Sequence, residues 1–147
     1  MSDEKARVLV VANKTAGSEE LVAAMRERAE RGPAEFVLLV PATPGGMTHV
    51  IDPHEREQGA DVHCRQAAER LREAGLPVVE AKAGDAEPLA AVEDELNSGG
   101  DSYDEIIVST LPKHLSKWLK LDLPSKVRGL TDSPVTHVTA HKAKVDL

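Results

Sequence analysis

Five short apolar runs alternate along the chain with segments that have a different hydrophobic period. They are VLVVA (8–12), FVLLV (36–40), LPVVEA (76–81), EIIVST (105–110) and VTHVTA (135–140). The first, second and fourth runs are nearly continuous in Val, Ile and Leu, which is typical of strands buried on both faces of a parallel sheet. The pattern therefore predicts five strands in a sheet that helices cover.

The segments between these runs have the spacing of amphipathic helices. In the first, Leu21, Met25 and Ala29 share one face, and Ser18 is the expected N-cap. The second helix is expected from about Glu55 to Ala74, with Ala60, Cys64, Ala67 and Leu71 inward. The third helix follows an N-cap at Asp85, with an apolar stripe of Leu89, Val92 and Leu96. The fourth runs from about Leu123 to Leu130, with Asp122 as N-cap and Pro124 tolerated in the first turn.

The alternating order of strands and helices predicts right-handed crossovers and a doubly wound parallel sheet. We expect one three-layer α/β/α domain over residues 1–147, with five strands in the order 3-2-1-4-5. One connection, residues 41–58, is long and contains three prolines and a Gly-Gly pair. Long loops in compact domains are often functional.

The expected order also predicts where a ligand would bind. In open α/β sheets the ligand crevice lies beyond the carboxyl ends of the strands, where the winding direction reverses. Here that point lies between the first and fourth strands, with the second strand beside them. The candidate ligand-binding residues at this edge are Ala12, Asn13, Val40, Ser109 and Thr110.

The segment STLPKHLSKWLKLDLPS (109–125) follows the fourth strand and allows two interpretations. Its hydroxyls and lysines could hold an anion through side chains, with Pro112, Lys113 and Ser125 joining the candidate site. From Leu111 onward the chain carries seven Lys and Arg against three Asp, which suits an anion. Alternatively, Leu115, Trp118 and Leu119 pack inward while the lysines face water, as their helical spacing allows. We favour the second interpretation, in which the segment covers the crevice.

Composition limits the classes of partner and compartment. The net charge of −7 disfavours nucleic acid and an anionic membrane as partners. The chain has one Phe, one Tyr and one Trp, too few for base stacking on a single strand. Cys64 is the only cysteine, so no intrachain disulfide can form. With neither a signal-peptide pattern nor an apolar stretch of about 20 residues, the sequence predicts a cytoplasmic protein.

Three segments together resemble the universal stress proteins. RVLVVANKTAGSEEL is similar to the family's opening strand and helix, and GDAEPLAAVEDELNSGGDSYDEIIVST to its Gly-Asp turn, third helix and fourth strand. DSPVTHVTA is similar to the segment that leads into its last strand. The resemblance covers nearly the whole chain. It implies the family's fold, related to that of adenine-nucleotide α hydrolases, and a homodimer formed through the last strand.

Two departures from the family's pattern bear on ATP binding. The resemblance implies an aspartate at the end of the first strand, where this chain has Asn13. It also implies a glycine-rich phosphate loop after the fourth strand, but Ser109 and Pro112 occupy the first two glycine positions and Asp122 lies at or next to the third. Proline lacks the N–H that a phosphate would need, and an aspartate adds repulsion. We therefore expect that the chain does not bind ATP in the family's usual mode.

The sequence offers little support for metal binding or catalysis. The loop residues His49, Asp52, His54 and Glu55 include metal-ligand types, but their spacing matches no strong metal motif. His137 alternates with valines and is expected to be structural. No catalytic motif is recognisable, so we expect neither an enzyme nor a metal site.

The sequence thus predicts a non-catalytic stress-response or regulatory module. Its expected partner is another protein or a small anionic ligand, and no cofactor is required. The alternative is a module that binds ATP or AMP in a modified site, using Asn13, Ser109, Thr110, Lys113 and Ser125. A hydrolase of nucleotides or phosphate esters is a third and weaker possibility, since no base or nucleophile can be identified.

Overall fold

The structure is a computed structural model of the 147-residue chain. It describes residues 6–12, 18–41, 64–84, 87–98, 103–111 and 122–140. The predicted metal-ligand types in the loop 41–58 and the whole segment 112–121 lie outside the described residues, as do Ala60 and Asp85.

Five strands form one sheet in the order β3-β2-β1-β4-β5, and every neighbouring pair is parallel. The strands are β1 (Ala6–Val11), β2 (Ala34–Pro41), β3 (Val78–Gly84), β4 (Glu105–Thr110) and β5 (Val135–Thr139). The predicted fold class and strand order are therefore confirmed. The third strand begins two residues later than predicted and extends to Gly84, since polar residues are accepted on an edge strand that is buried on one side only.

Helix α1 (Glu19–Glu30) begins as its sequence predicts. The side chain of Ser18 accepts a hydrogen bond from the backbone N–H of Leu21 at 3.1 Å. Glu19 and Glu20 occupy the first turn, where the helix dipole favours negative charge. Leu21 and Met25 are fully buried, so this helix covers the sheet with the predicted face.

The other helices within the described ranges are α2 (64–73), α3 (Pro88–Ser98) and α4 (Leu123–Arg128). In α2, the inward positions Cys64, Ala67 and Leu71 are buried, as predicted. In α3 the predicted stripe packs on the core: Val92 is buried, and Leu89 and Leu96 pack against the same cluster while partly buried. Ala91 and Glu95 are buried beside the stripe.

Asp122 precedes α4 at the predicted N-cap position but does not cap the helix with its side chain. Its backbone is left-handed, with φ 57° and ψ 45°. An N-cap side chain reaches the first-turn N–H groups from an extended backbone, so the left-handed geometry accounts for the missing bond. Pro124 is tolerated in the first turn, where helical N–H groups lack partners.

Two apolar clusters lie on opposite faces of the sheet. On the α1/α2 face, Val8, Val10, Phe36 and Leu38 pack with the buried residues of α1 and α2. On the α3/α4 face, the alternate strand positions pack with Ala91, Val92, Leu123 and Val127. This alternation assigns each residue at the carboxyl ends of the strands to one face or the other.

Candidate functional site

The carboxyl ends of β1, β2 and β4 meet at one level of the sheet. Val11 is paired with Leu39 of β2 and with Val108 of β4. The backbone N–H of Ala12 donates to the carbonyl of Leu39 at 3.2 Å, so β1 continues its pairing to that residue. The structure therefore brings Ala12, Val40 and Ser109 to neighbouring positions, as the strand order predicts.

These candidates do not all face the same way. Ala12 and Val40 belong to the cluster on the α1/α2 face. Ile107 lies on that face too, so alternation along β4 places Ser109 there. Thr110 takes the α3/α4 face with Val108. The crevice predicted between β1 and β4 thus has its two hydroxyl residues on opposite sides of the sheet.

All four described residues of this edge are deeply buried. The exposed fraction is 0% for Ala12, 1% for Val40, 1% for Ser109 and 2% for Thr110. Two of them are apolar and offer no side-chain hydrogen bond. A phosphate approaching this edge would therefore meet little accessible polar surface on the described residues.

The hydroxyl of Thr110 is engaged in two hydrogen bonds. Its Oγ1 lies 2.9 Å from the carbonyl oxygen of Leu111 and 2.8 Å from Nε2 of His137. A hydroxyl has one proton. When that proton goes to the Leu111 carbonyl, His137 must donate its Nε2–H to the threonine oxygen. Thr110 then has no proton left to donate to an anion.

His137 lies on β5, on the same face as Thr110 and α4. Burial lowers the pKa of His137 below its ordinary value of 6.5, and the positive charge of Arg128 lowers it further. The neutral imidazole is therefore favoured at neutral pH, in the tautomer that carries its proton on Nε2. The sequence predicted a structural position for His137, and its contact with Thr110 agrees with that prediction.

A hydroxyl and an imidazole at hydrogen-bond distance could in principle form an activated nucleophile. Such a pair needs a third group that orients the imidazole and stabilises its positive form. In the part of the chain that the structure describes, the charged group acting on His137 is the cation Arg128. This charge opposes formation of an imidazolium, so the geometry disfavours Thr110 as a nucleophile.

Of the remaining candidates, only Ser125 is described. It is exposed in the first turn of α4, after the buried residues Leu123 and Pro124. Asn13, Pro112 and Lys113 fall outside the described ranges. Within those ranges, no group of three or more His, Cys, Asp or Glu side chains could hold a metal ion. The same ranges contain no helix that is long and apolar enough to cross a bilayer.

A second polar cluster, on the α3/α4 face, was not predicted. The carboxylate of Glu95 on α3 accepts hydrogen bonds from Lys82 of β3, 3.0 Å from both oxygens, and from the phenol of Tyr103. The guanidinium of Arg7 stacks over the Tyr103 ring, 4.8 Å from its centroid. The signal available in the sequence was a run of three acidic residues, Glu93, Asp94 and Glu95, next to an apolar stripe. Such a run does not show which of its members is buried.

Solved structures that are similar to this one include universal stress proteins. A universal stress protein in complex with cAMP has a TM-score of 0.62 and 16% identity, over 93% of this chain and 98% of that chain. A universal stress protein from Archaeoglobus fulgidus has a TM-score of 0.59 and 17% identity, over 90% and 93%. The Archaeoglobus fulgidus protein in complex with dAMP has a TM-score of 0.54 and 17% identity, over 93% and 99%.

No protein-family model matches the sequence, and no curated protein matches it. The similarity is therefore one of structure. Sheet order, parallel pairing and coverage together show that the chain has the universal stress protein fold.

Proposed function

We propose that this chain is a universal stress protein that acts as a non-catalytic stress-response or regulatory module and does not bind ATP in the family's usual mode. The proposal rests on the burial and hydrogen bonding of the two hydroxyl residues at the end of β4. Ser109 and Thr110 are buried, and the Thr110 proton is directed to the carbonyl of Leu111. Neither residue presents a donor to the crevice as a phosphate loop would.

The sequence supports the same proposal independently. The resemblance to universal stress proteins puts Ser109 and Pro112 at two glycine positions of the phosphate loop. Glycines allow backbone N–H groups to approach phosphate closely. A buried serine and a proline without an N–H supply neither the space nor the donor.

The absence of catalysis is part of the proposal. The Thr110–His137 pair is the nearest approach to a nucleophile and base among the described residues. Its environment favours neutral histidine, because burial and Arg128 both lower the His137 pKa. The proposed molecule acts through a protein partner or a small anionic ligand, in the cytoplasm, as a homodimer paired through β5.

A second candidate function is binding of an adenine nucleotide in a modified site. It is favoured by the similarity to two structures that contain nucleotides, one with cAMP and one with dAMP. A monophosphate needs a smaller phosphate cradle than ATP does. Asn13, Lys113 and Ser125 would then supply hydrogen bonds and charge through their side chains.

The test is mass spectrometry of the small molecules that are released when freshly purified protein is denatured. The proposal expects no stoichiometric adenine nucleotide. A released mononucleotide would favour the second candidate, and released ATP would contradict the proposal. Incubation with ATP and with a phosphate-ester substrate, compared with buffer alone, tests for turnover, and hydrolysis above background would contradict the non-catalytic role.

A further inference from the structure

Strand β5 is an edge strand whose outer backbone groups can be identified. The N–H of Ile106 donates to the carbonyl of Pro134, and the N–H of Ala140 donates to the carbonyl of Thr110. In a parallel pair, alternate residues of a strand bond to the same neighbour. The N–H and C=O groups of Val135, His137 and Thr139 therefore point away from β4, toward the outer edge.

Arg128 at the end of α4 lies against this edge. Its guanidinium donates to the outward carbonyl of Val135, with an N–O distance of 3.4 Å. Val135 and His137 are two residues apart on β5, so both side chains lie on the α4 side. The imidazole of His137 is held there by Thr110 at 2.8 Å. The cation Arg128 and the titratable imidazole of His137 thus both lie where α4 packs on β5.

We propose that His137 makes this edge of the sheet sensitive to pH: protonation of its imidazole places a second positive charge beside Arg128 and loosens the packing of α4 against β5. Arg128 then leaves the carbonyl of Val135. The outward carbonyl of Val135 is then free to accept a hydrogen bond from water or another chain.

Protonation of His137 destabilises the packing of α4 on β5 without breaking the hydrogen bond to Thr110. Protonation adds a proton at Nδ1, while the Nε2–H that bonds Thr110 is retained. The hydrogen bond to β4 therefore survives. Protonation adds a partly buried positive charge that Arg128 repels. Desolvation and repulsion both disfavour the packed state.

Among the described residues, the charged group that acts on His137 is a cation and not a carboxylate. From α4 the charged group acting on it is Arg128, and Lys126 of the same helix is exposed. On β4, the neutral hydroxyl of Thr110 contacts the His137 imidazole. Helix α1 also packs on β5, but its Arg28 and Arg31 are paired with Glu105 of β4.

The direction of the pH effect follows from the position of the His137 pKa. Because burial and Arg128 lower it in the folded protein, the unfolded or opened chain binds a proton more readily. The stability contributed by neutral His137 is fully present above the ordinary value of 6.5. It is lost as the pH falls through that value toward the lower folded one.

The experiment is amide hydrogen exchange of the full chain above and below this window, corrected for the intrinsic exchange rate. It compares the natural protein with His137→Gln, whose amide can still donate to Thr110 but never gains a charge. We expect peptides from α4 and β5 to lose at least about threefold more protection on acidification in the natural protein than in the variant. Peptides from β1 and β2 serve as the internal reference.

An equal loss in both proteins would overturn the proposal, and so would a loss spread evenly over the sheet. Should His137→Gln fail to fold, NMR titration of the His137 imidazole in the natural protein decides instead. A midpoint below 6.5 that rises in Arg128→Gln supports the proposal. A midpoint at or above the ordinary value, or one that Arg128→Gln leaves unchanged, overturns it.

Discussion

The carboxylate of Glu95 accepts a hydrogen bond from the phenol of Tyr103, although α3 and the amino end of β4 approach each other only in the folded chain. Both residues are buried, with exposed fractions of 6% and 4%. Lys82 completes the charge balance at 3.0 Å. A buried carboxylate requires such partners, because desolvation of an unpaired charge costs several kcal/mol.

Tyr103→Phe removes one donor from Glu95 and keeps the ring that Arg7 covers. We expect a loss of about 1–3 kcal/mol in the free energy of unfolding, since hydrogen bonds to charged groups are worth that much. Urea unfolding measures it. In a double-mutant cycle with Glu95→Gln, the coupling energy should be at least about 0.5 kcal/mol. Additive losses would show that the two residues do not interact as described.

The environment of Tyr103 predicts that the folded protein loses stability at alkaline pH. Burial raises the pKa of Tyr103 above its ordinary value of 10.0, and the hydrogen bond to Glu95 raises it further. The folded protein therefore retains a proton that the unfolded chain loses, so stability falls as the pH rises above 10.0. Tyr103 is the only tyrosine, which lets tyrosinate absorbance report on it directly. A normal titration in the native protein would contradict the buried environment.

Gly84 allows α3 to approach the end of β3. A Cβ at this position would lie 2.9 Å from Cβ of Ala91 and 3.1 Å from Cδ1 of Leu39. We expect Gly84→Ala to destabilise by about 1–3 kcal/mol through overpacking. Gly129→Ala is the matched control, because its nearest atom, the carbonyl oxygen of Lys126, is 3.4 Å away and its φ of −75° suits alanine. Equal effects at the two glycines would contradict the close approach.

Glu105 joins β4 to the end of α1. It forms an ion pair with Arg28, and both side chains are at most 15% exposed, whereas Arg31 is 62% exposed and 3.9 Å away. Glu105→Gln should cost about 1–3 kcal/mol, since it leaves a buried cation with a weaker partner. Arg31→Gln should change stability by less than about 1 kcal/mol. Urea unfolding of both variants separates the buried pair from the exposed one.

The proposed dimer can be tested with two prolines on β5. Thr139→Pro removes an outward N–H and leaves the bonds to β4 intact, whereas Val138→Pro removes an N–H that faces β4. If β5 pairs with a second copy, Thr139→Pro should give a folded monomer by light scattering, and Val138→Pro should lower stability. A dimer that persists in folded Thr139→Pro would place the interface elsewhere.

The strand pattern predicted the fold because its signal is local. The continuous apolar runs at 8–12, 36–40 and 105–110 are dictated by burial on both faces. Their alternation with helices leaves few possible topologies. The burial of Glu95 on α3 was not predicted, because its partners Lys82 and Tyr103 lie outside that helix. A helical period cannot reveal a buried carboxylate whose cation lies thirteen residues away on an edge strand.

The sequence predicted which strand ends form the candidate site, but not the side-chain contacts within it. Strand order alone brings Ala12, Val40 and Ser109 together. The bond between Thr110 and His137 depends on the pairing of β4 with β5 across 27 residues. That register follows from packing in three dimensions, so no sequence pattern indicated that the Thr110 hydroxyl would be engaged.

The most direct test of the central claim is calorimetric titration of the purified chain with ATP and with AMP, at several temperatures so that a small enthalpy is not missed. The buried hydroxyls of Ser109 and Thr110 and the substituted glycine positions predict no saturable binding of ATP. Micromolar ATP binding that Lys113→Ala abolishes would contradict this account and identify the segment after β4 as a phosphate site built from side chains.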